Sequence, residues 1–444
     1  MKRDHFIRMT QYILSVLLFL LFNPNAFADS AATDLFPVYP CIKPNVNFWI
    51  KIYTRYDVTE GVLHDSEDLS IVYGIIPLLD PQSPGANKIN EKRINTVKNR
   101  YHNMLTRLAH SPALLSDEEK RIMALFGENA SPATYLRASD QLRCQVGQKS
   151  RFLAGLFRSG AYLDDFREIF ASRGLPGELL YLAHVESSFD PHATSKCGAA
   201  GIWQFMPATA RRFMKVNSSV DERRDPFIST MAAAAYLKEN MEILKSWPLA
   251  VTAYNHGANS MLRAKKQKGA FERIFREYKS PAFGFASRNF YPSFLAAREI
   301  ASKHEQYFGK IELARPVPAV IMVVPEKTSL TRLSRKLGLS PETIRGLNPA
   351  LRPAVYADLK YIPKGYGLKI PAAGACSPDA KLAQLPADAV YNQNTPARIH
   401  VVSKGETAYR ISRMHKVSLS DLIAINNLSS KATIHPGQSL TIPN

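Results

Sequence analysis

Residues 178–189 read ELLYLAHVESSF, and this stretch decides the fold. The turns before Glu186 are almost wholly apolar, so we predict a buried helix with Glu186 near its carboxyl end. Apolar surroundings and the negative end of a helix dipole both favour a protonated carboxyl group. A neutral carboxylic acid near pH 7 can protonate a glycosidic oxygen, so Glu186 is the candidate general acid. A Glu-Ser pair alone is a weak signal, and a surface glutamate is the alternative.

Two further segments strengthen this interpretation. Residues 198–207 read GAAGIWQFMP and residues 253–257 read AYNHG. Glycines let the backbone pass close to a ligand, aromatic rings offer flat faces to sugars, and amides and phenols form hydrogen bonds. Each aromatic alone is more often part of a core than of a sugar platform. The candidate substrate-binding side chains in these segments are Trp203, Gln204, Phe205, Tyr254 and Asn255.

The amino-terminal residues indicate export. Lys2, Arg3 and Arg8 precede an apolar run over residues 12–22, and small residues end at Ala28. This pattern is typical of a signal peptide over residues 1–28, and the run is shorter than the roughly 20 residues of a spanning helix. An uncleaved anchor is the alternative. No cysteine follows the run directly, so we expect no lipid anchor and a location in the periplasm or cell envelope.

Composition narrows the possible partners. The chain has 444 residues, 45% hydrophobic and 21% charged, and a formal net charge of +19. The length suits two to four domains. A strongly basic exported protein is drawn to anionic lipids or an acidic cell wall, allowing peripheral association there, and we expect no nucleic-acid partner. No cysteine or histidine has metal-ligand spacing, so no metal or cofactor is expected. The pairing of Cys41, Cys144, Cys197 and Cys376 stays open.

The chain divides by texture. Residues 29–140 form a mixed amino-terminal arm, and residues 141–308 follow a helical pattern that predicts an all-α domain. Residues 318–371 and 398–443 carry two copies of one small unit, each reading strand, helix, helix, strand, with residues 372–397 as a linker. The first copy has six extra residues before its last strand and lacks a clear Gly-Glu-Thr, so it is degenerate.

Taken in order, Glu186-Ser187, residues 201–204 and residues 253–255 resemble the three motifs of the family 1 lytic transglycosylases. That family has a lysozyme-like helical fold, so the resemblance implies a multidomain protein with an all-α lysozyme-like domain. Residues 398–443 look like a LysM repeat, a module that binds glycans containing N-acetylglucosamine. The two βααβ units would then be LysM-like modules, and peptidoglycan glycan strands the partner.

The resemblance also implies roles and a reaction. Glu186 would be general acid and then base, while Ser187, Gln204, Tyr254 and Asn255 would orient the acid or the sugar. The reaction would break the MurNAc-β-1,4-GlcNAc bond without water and leave a 1,6-anhydroMurNAc end. The family often has an Asn-Tyr pair late in the domain with its tyrosine in the cleft, whereas residues 289–291 read NFY. A hydrolytic goose-type muramidase and a non-catalytic wall-binding protein are the alternatives.

Overall fold

The computed structural model describes residues 34–110, 114–128, 130–372, 398–403, 405–415, 417–426, 428 and 432–442. The predicted signal peptide and, apart from Ala372, the predicted linker lie outside these residues. Within them, no helix is both long and apolar enough to cross a membrane. The chain divides into two compact units between Val38 and Tyr39, and every element named below belongs to the second.

The amino-terminal region is built on a three-stranded antiparallel sheet. Its strands are β1 (Glu60–Asp65), β2 (Val72–Pro77) and β3 (Leu142–Val146), in the order β2-β1-β3. Val62 at the centre pairs with Ile75 on one side and Gln145 on the other. Because β3 completes this sheet, the expectation of an all-α domain from residue 141 is wrong at its start.

Residues 39–140 also form four α-helices, as far as the structure describes them. The second of these helices contains Val97, Tyr101, Leu105 and Leu108, which recur at helical spacing in the sequence. A capping box between Ser116 and Glu119 starts the third, since each side chain bonds the other's backbone amide. The helices are α1 (Lys43–Thr54), α2 (Ala86–Ala109), α3 (Asp117–Phe126) and α4 (Pro132–Asp140).

Residues 149–308, which are described without a gap, are helical as predicted. Two 3₁₀ turns, Gly177–Tyr181 and Glu222–Arg224, lie among the helices. The ten α-helices are α5 (Lys149–Ser159), α6 (Leu163–Ala171), α7 (Leu182–Ser187), α8 (Pro207–Ala210), α9 (Pro226–Leu244), α10 (Trp247–His256), α11 (Ala258–Lys268), α12 (Phe271–Glu277), α13 (Phe285–Ser302) and α14 (His304–Phe308).

Helix α1 of the amino-terminal region packs on α13 of the helical region. The Asn45 amide donates to Asn289 Oδ1 at 2.8 Å, and Trp49 Nε1 points at the same oxygen from 3.4 Å. All three side chains are buried. A buried amide pair must satisfy its hydrogen bonds internally, so this contact fixes α1 on the helical region rather than leaving it as a detachable arm.

The second predicted βααβ unit is confirmed, and the first carries one helix more than predicted. The first consists of β4 (Ala319–Val323), α15 (Leu330–Leu337), α16 (Pro341–Leu347), α17 (Pro353–Tyr356) and β5 (Gly367–Pro371). The second consists of β6 (Arg398–Val401), α18 (Ala408–Met414), α19 (Leu419–Asn426) and β7 (Ser439–Ile442). In each unit the two strands pair antiparallel. The six extra residues of the first unit fall between Asn348 and β5, the interval that also contains α17.

Three of the four cysteines are described, and they are free thiols. Cys41 and Cys144 are partly buried and Cys197 is exposed. Burial raises the pKa of the Cys144 thiol to about 11, so this thiol stays protonated at neutral pH. Cys376 lies outside the described residues. No disulfide therefore joins any two of the three described cysteines.

Candidate active site

The apolar stretch before Glu186 is helical, as predicted, in a short form. A 3₁₀ turn over Gly177–Tyr181 runs directly into α7, which holds Glu186 in its last turn. Leu179, Leu182 and Ala183 are fully buried. The burial follows from the sequence, because no polar side chain interrupts this face until His184.

The chain turns sharply after Glu186. Ser188 (φ 53°) and Phe189 (φ 57°) are both left-handed, a backbone conformation that costs roughly 1–3 kcal/mol per residue outside glycine. Arg158 on α5 holds this turn, since its Nε and Nη2 donate to Ser188 O at 3.0 and 2.7 Å. Gly155, one turn earlier, permits the approach, because a Cβ there would lie 2.8 Å from that of Ser188.

The Glu186 carboxyl keeps only a partial opening to solvent. Burial raises its pKa from 4.5 to about 8, and no charge or hydrogen bond from the described residues offsets the shift. The carboxyl is therefore protonated at pH 7, as a general acid must be. The expected contribution from a helix dipole is not needed, because α7 is six residues long and burial accounts for the shift.

Ser187 joins α7 to the glycine-containing loop. Its Oγ donates to Ile202 O at 2.8 Å and accepts from the Asp190 amide at 3.1 Å. Both hydrogen bonds hold backbone, so Ser187 fixes residues 198–205, named here the substrate loop, beside Glu186.

Close backbone packing shapes the substrate loop. Gly201 has φ 80°, and a Cβ there would lie 1.7 Å from Arg223 O, so only glycine fits. Gln204 is also left-handed, at φ 47°. Its Nε2 donates to Gly201 O at 2.9 Å, which fixes the orientation of the side-chain amide. Gln204 remains partly exposed, so part of it is accessible to a ligand.

Two of the predicted sugar-binding rings are part of the core instead. Trp203 is fully buried, stacks on Phe170 at 5.7 Å, and donates through Nε1 to Thr230 Oγ1 at 2.7 Å. Phe205 is 3% exposed and packs against Tyr236 and Tyr254. The expectation that Trp203 and Phe205 present faces to a sugar is therefore wrong. Ile202 is also fully buried, whereas Gln204 is partly exposed.

Tyr254 lies beside the acid, as expected. Its hydroxyl donates to Trp203 O at 3.0 Å. Burial, followed by the negative charge that Glu186 can carry, raises the pKa of the phenol well above its usual value. The neighbouring Asn255 is exposed, and its Oδ1 accepts from Ser287 Oγ at 2.9 Å. Helix α10 thus places a phenol against Glu186 and an anchored amide at the surface.

Both aromatic rings of the NFY segment are buried, against different neighbours. The ring of Phe290 lies parallel to that of Tyr254, with centroids 6.4 Å apart. Tyr291 is fully buried against Phe271, with centroids 4.9 Å apart. Phe290, and not Tyr291, therefore takes the position beside the site's phenol.

A second phenol near Glu186 was missed by sequence reasoning. Tyr53 on α1 is 2% exposed, and its pKa is raised by burial and by the charge of Glu186, against a hydrogen bond with Ser293 that lowers it. Its ring stacks on Phe152 at 5.0 Å. The only available signal was an aromatic at helical spacing in a region without motifs, which does not distinguish a site residue from a core residue.

Two of the carboxylates near the motifs are engaged elsewhere. Asp221 forms a buried pair with Arg223 at 2.8 Å, and Asp225 pairs with Lys369 at 2.8 Å. Asp221 thus pairs with a residue two positions away, whereas the partner of Asp225 lies 144 positions away in the sequence. The His184 imidazole is buried against Phe152, and burial lowers its pKa to about 3, in keeping with a structural role.

Comparison with known families agrees with this arrangement. Residues 169–275 match the Transglycosylase SLT domain, and residues 400–443 match the LysM domain. The chain thus carries a helical transglycosylase domain of the SLT type, with the lysozyme-like fold predicted, and a carboxyl-terminal LysM domain.

Two of the relatives are named as transglycosylases. Membrane-bound lytic murein transglycosylase D of Escherichia coli (strain K12) is 30% identical over 280 residues, which are 61% of this chain and 60% of that protein. The Transglycosylase of Enterobacteria phage PRD1 is 34% identical over 87 residues, or 20% of this chain and 31% of the phage protein. The chain thus spans less than two thirds of either relative.

Among solved structures, an inactive mutant of lytic transglycosylase Slt from Pseudomonas aeruginosa aligns with 50% of this chain and 34% of its own, at 19% identity. The TM-score of 0.29 is too low to support a conclusion about the fold.

Proposed function

We propose that this protein is an exported lytic transglycosylase that cleaves the MurNAc-β-1,4-GlcNAc bond of peptidoglycan without water. The observation that carries the proposal is the Glu186 carboxyl, whose pKa burial raises to about 8 inside an SLT domain. The similarity to a lytic murein transglycosylase of Escherichia coli supports the substrate class.

In the proposed reaction one carboxyl serves twice. Protonated Glu186 gives its proton to the glycosidic oxygen as the bond from C1 of N-acetylmuramic acid breaks. The resulting carboxylate then takes the proton from the C6 hydroxyl of the same sugar, whose oxygen bonds to C1. The proton count balances, since the proton released at C6 restores the acid, and the product is a 1,6-anhydro ring.

We assign supporting roles to the polar groups around this carboxyl. Tyr254, whose pKa feels the charge of Glu186, is placed to orient the acid. Gln204 and Asn255 are each anchored by a hydrogen bond and remain accessible, so they are the groups that would hold the sugar. Ser187 acts through the substrate loop, whose backbone it holds.

The engagement of nearby acids favours the non-hydrolytic reaction. Glycosidases that use water or a protein nucleophile place a second carboxyl about 5–10 Å from the acid. Asp221 and Asp225 are both bound in ion pairs with basic side chains. With these acids engaged, the substrate's own C6 hydroxyl is the nucleophile at hand.

The LysM domain and the charge suit an insoluble polymer. A glycan-binding module on the same chain raises the local concentration of substrate at the catalytic domain. The net charge of +19 attracts the protein to an acidic wall or to anionic lipid. We propose a location in the periplasm, after cleavage of the signal peptide, with peripheral association at most.

Mass spectrometry of muropeptides released by the purified mature protein tests the proposal. The expected products carry anhydro ends, which are lighter than reducing ends by one water, about 18 Da. Products with reducing ends identify a muramidase on the same fold instead. Glu186→Gln should abolish release, and binding of peptidoglycan without release by the wild type would favour a scaffold protein.

A further inference from the structure

The first LysM-like module, residues 318–371, is joined to the helical domain by main-chain hydrogen bonds. The Asp221 amide donates to Ala350 O at 2.7 Å, and the Arg352 amide donates to Ser219 O at 2.9 Å. Val220, between them in the helical domain, is 1% exposed and belongs to the core of the module. A side chain shared in this way ties the two parts into one packed unit.

Charged side chains connect this contact to the substrate loop through a series of hydrogen bonds. Arg352 Nη2 of the module donates to Asp221 at 3.2 Å, and both oxygens of Asp221 accept from Arg223 at 2.8 Å. Arg223 in turn donates through Nη1 to Gly198 O at 2.7 Å and Phe205 O at 2.9 Å. Those two carbonyls are the two ends of the substrate loop.

A second ion pair reaches the same loop from another side. Lys369 Nζ of the module bonds to Asp225 Oδ2 at 2.8 Å. The other oxygen of Asp225 caps α9 by accepting from the Phe227 amide at 2.9 Å. One turn into α9, Thr230 receives the hydrogen bond of Trp203, which is the central ring of the loop.

The sequence difference between the two modules falls at this contact. The six extra residues of the first module follow Asn348, and residues 350–352 lead into α17 there. The second module continues from its matching Asn426 without the extra residues, and it has no counterpart of α17 among its described residues. The interval that carries the extra residues thus includes residues 350–352, which bind the helical domain.

We propose that residues 318–371 act as a structural clamp that holds the substrate loop in its productive shape, with Arg352 as a positioning residue. The clamp works through Asp221 and Arg223 at the loop's ends and through the capped end of α9 at its centre. Its catalytic consequence rests on the proposed transglycosylase function, whereas its effect on the loop does not.

The test compares two variants of the full mature chain. Arg352→Gln removes the guanidinium charge that pairs with Asp221 at 3.2 Å. Arg332→Gln is the matched control, because Arg332 belongs to the same module but forms an exposed pair with Glu326 at 3.3 Å. Hydrogen exchange with mass spectrometry follows peptides spanning residues 198–206. The amides of Ala200, Gly201 and Gln204 are bonded inside that segment or to Ala193.

We expect Arg352→Gln to speed exchange of these amides at least roughly tenfold, while α13 exchanges as in wild type. A loop held about 1 Å out of place should lower kcat by roughly 10- to 100-fold, with KM changing less. Arg332→Gln should leave both measurements unchanged. Arg352→Lys, which keeps the charge with a different geometry, should restore part of the protection.

Unchanged exchange over residues 198–206 in Arg352→Gln would overturn the clamp, and so would equal effects of the two Gln variants. If Arg352→Gln does not fold, the comparison of Arg352→Lys with Arg332→Gln decides in the same way. If the wild type never cleaves peptidoglycan, the function proposed above fails, while the exchange result still supports or overturns the clamp.

Discussion

The elevated pKa of Glu186 has a consequence for stability that is independent of catalysis. An acid whose pKa is higher in the folded state than in the unfolded chain stabilises the fold fully below its unfolded pKa, and that contribution is lost as the pH rises through the folded pKa. Here the window runs from about 4.5 to about 8. A pKa raised from 4.5 to about 8 corresponds to roughly 5 kcal/mol in the free energy of unfolding. This figure is an upper bound, because Glu186 is partly exposed.

Glu186→Gln removes this titration and keeps the shape of the side chain. The free energy of unfolding of the variant, relative to wild type, should therefore increase between pH 4 and pH 7 by up to roughly 3 kcal/mol, the part of the shift incurred by pH 7. Chemical denaturation at a series of pH values measures this difference. Glu178→Gln, an exposed glutamate in the same segment, is the control and should show no such trend.

A stability difference between Glu186→Gln and wild type that stays constant from pH 4 to pH 8 would refute the reasoning, because the carboxyl would then ionise alike in both states. The ionisation of Glu186 should also determine the pH dependence of kcat/KM. Since the acid must be protonated, kcat/KM of the wild type should fall tenfold per pH unit above about pH 8.

Two other substitutions test the surroundings of the acid. Gly201→Ala places a Cβ on Arg223 O in a left-handed residue, so we expect a loss of roughly 2 kcal/mol or more in the free energy of unfolding. Chemical denaturation measures this loss. A stable, active variant would show that the loop is not held as described. Tyr53→Phe removes the hydrogen bond with Ser293 and the phenol near Glu186. It should cost about 1 kcal/mol of stability and lower kcat more than KM; kinetics identical to wild type would exclude Tyr53 from the site.

Local patterns were enough to predict the helices and the acid. An unbroken apolar run places Glu186 in a buried turn, and burial alone then raises the pKa of its carboxyl. The βααβ units could also be predicted, because a repeat doubles a weak signal. These features depend on residues that are close together in sequence.

The errors arose where the outcome depends on distant residues. Trp203 was expected in the cleft because its ring suits sugars, yet Thr230, 27 positions later, holds its Nε1 in the core. The local pattern does not reveal strand β3, because β3 pairs with β1, which lies about 80 residues earlier in the sequence. Neither contact leaves a trace in the local periodicity of the chain.

The position of Phe290 connects the amino-terminal region to the site. Phe290 is 6% exposed and stacks on Tyr254 without a hydroxyl. Tyr53 brings a phenol near the same carboxyl from α1, whose seat on α13 is fixed through Asn289. Asn289 directly precedes Phe290 in α13. The same turn of α13 therefore places a ring without a hydroxyl beside Tyr254 and anchors α1, the helix that carries Tyr53. The amino-terminal region is thus part of the site's construction, and its removal should impair catalysis even where the SLT domain still folds.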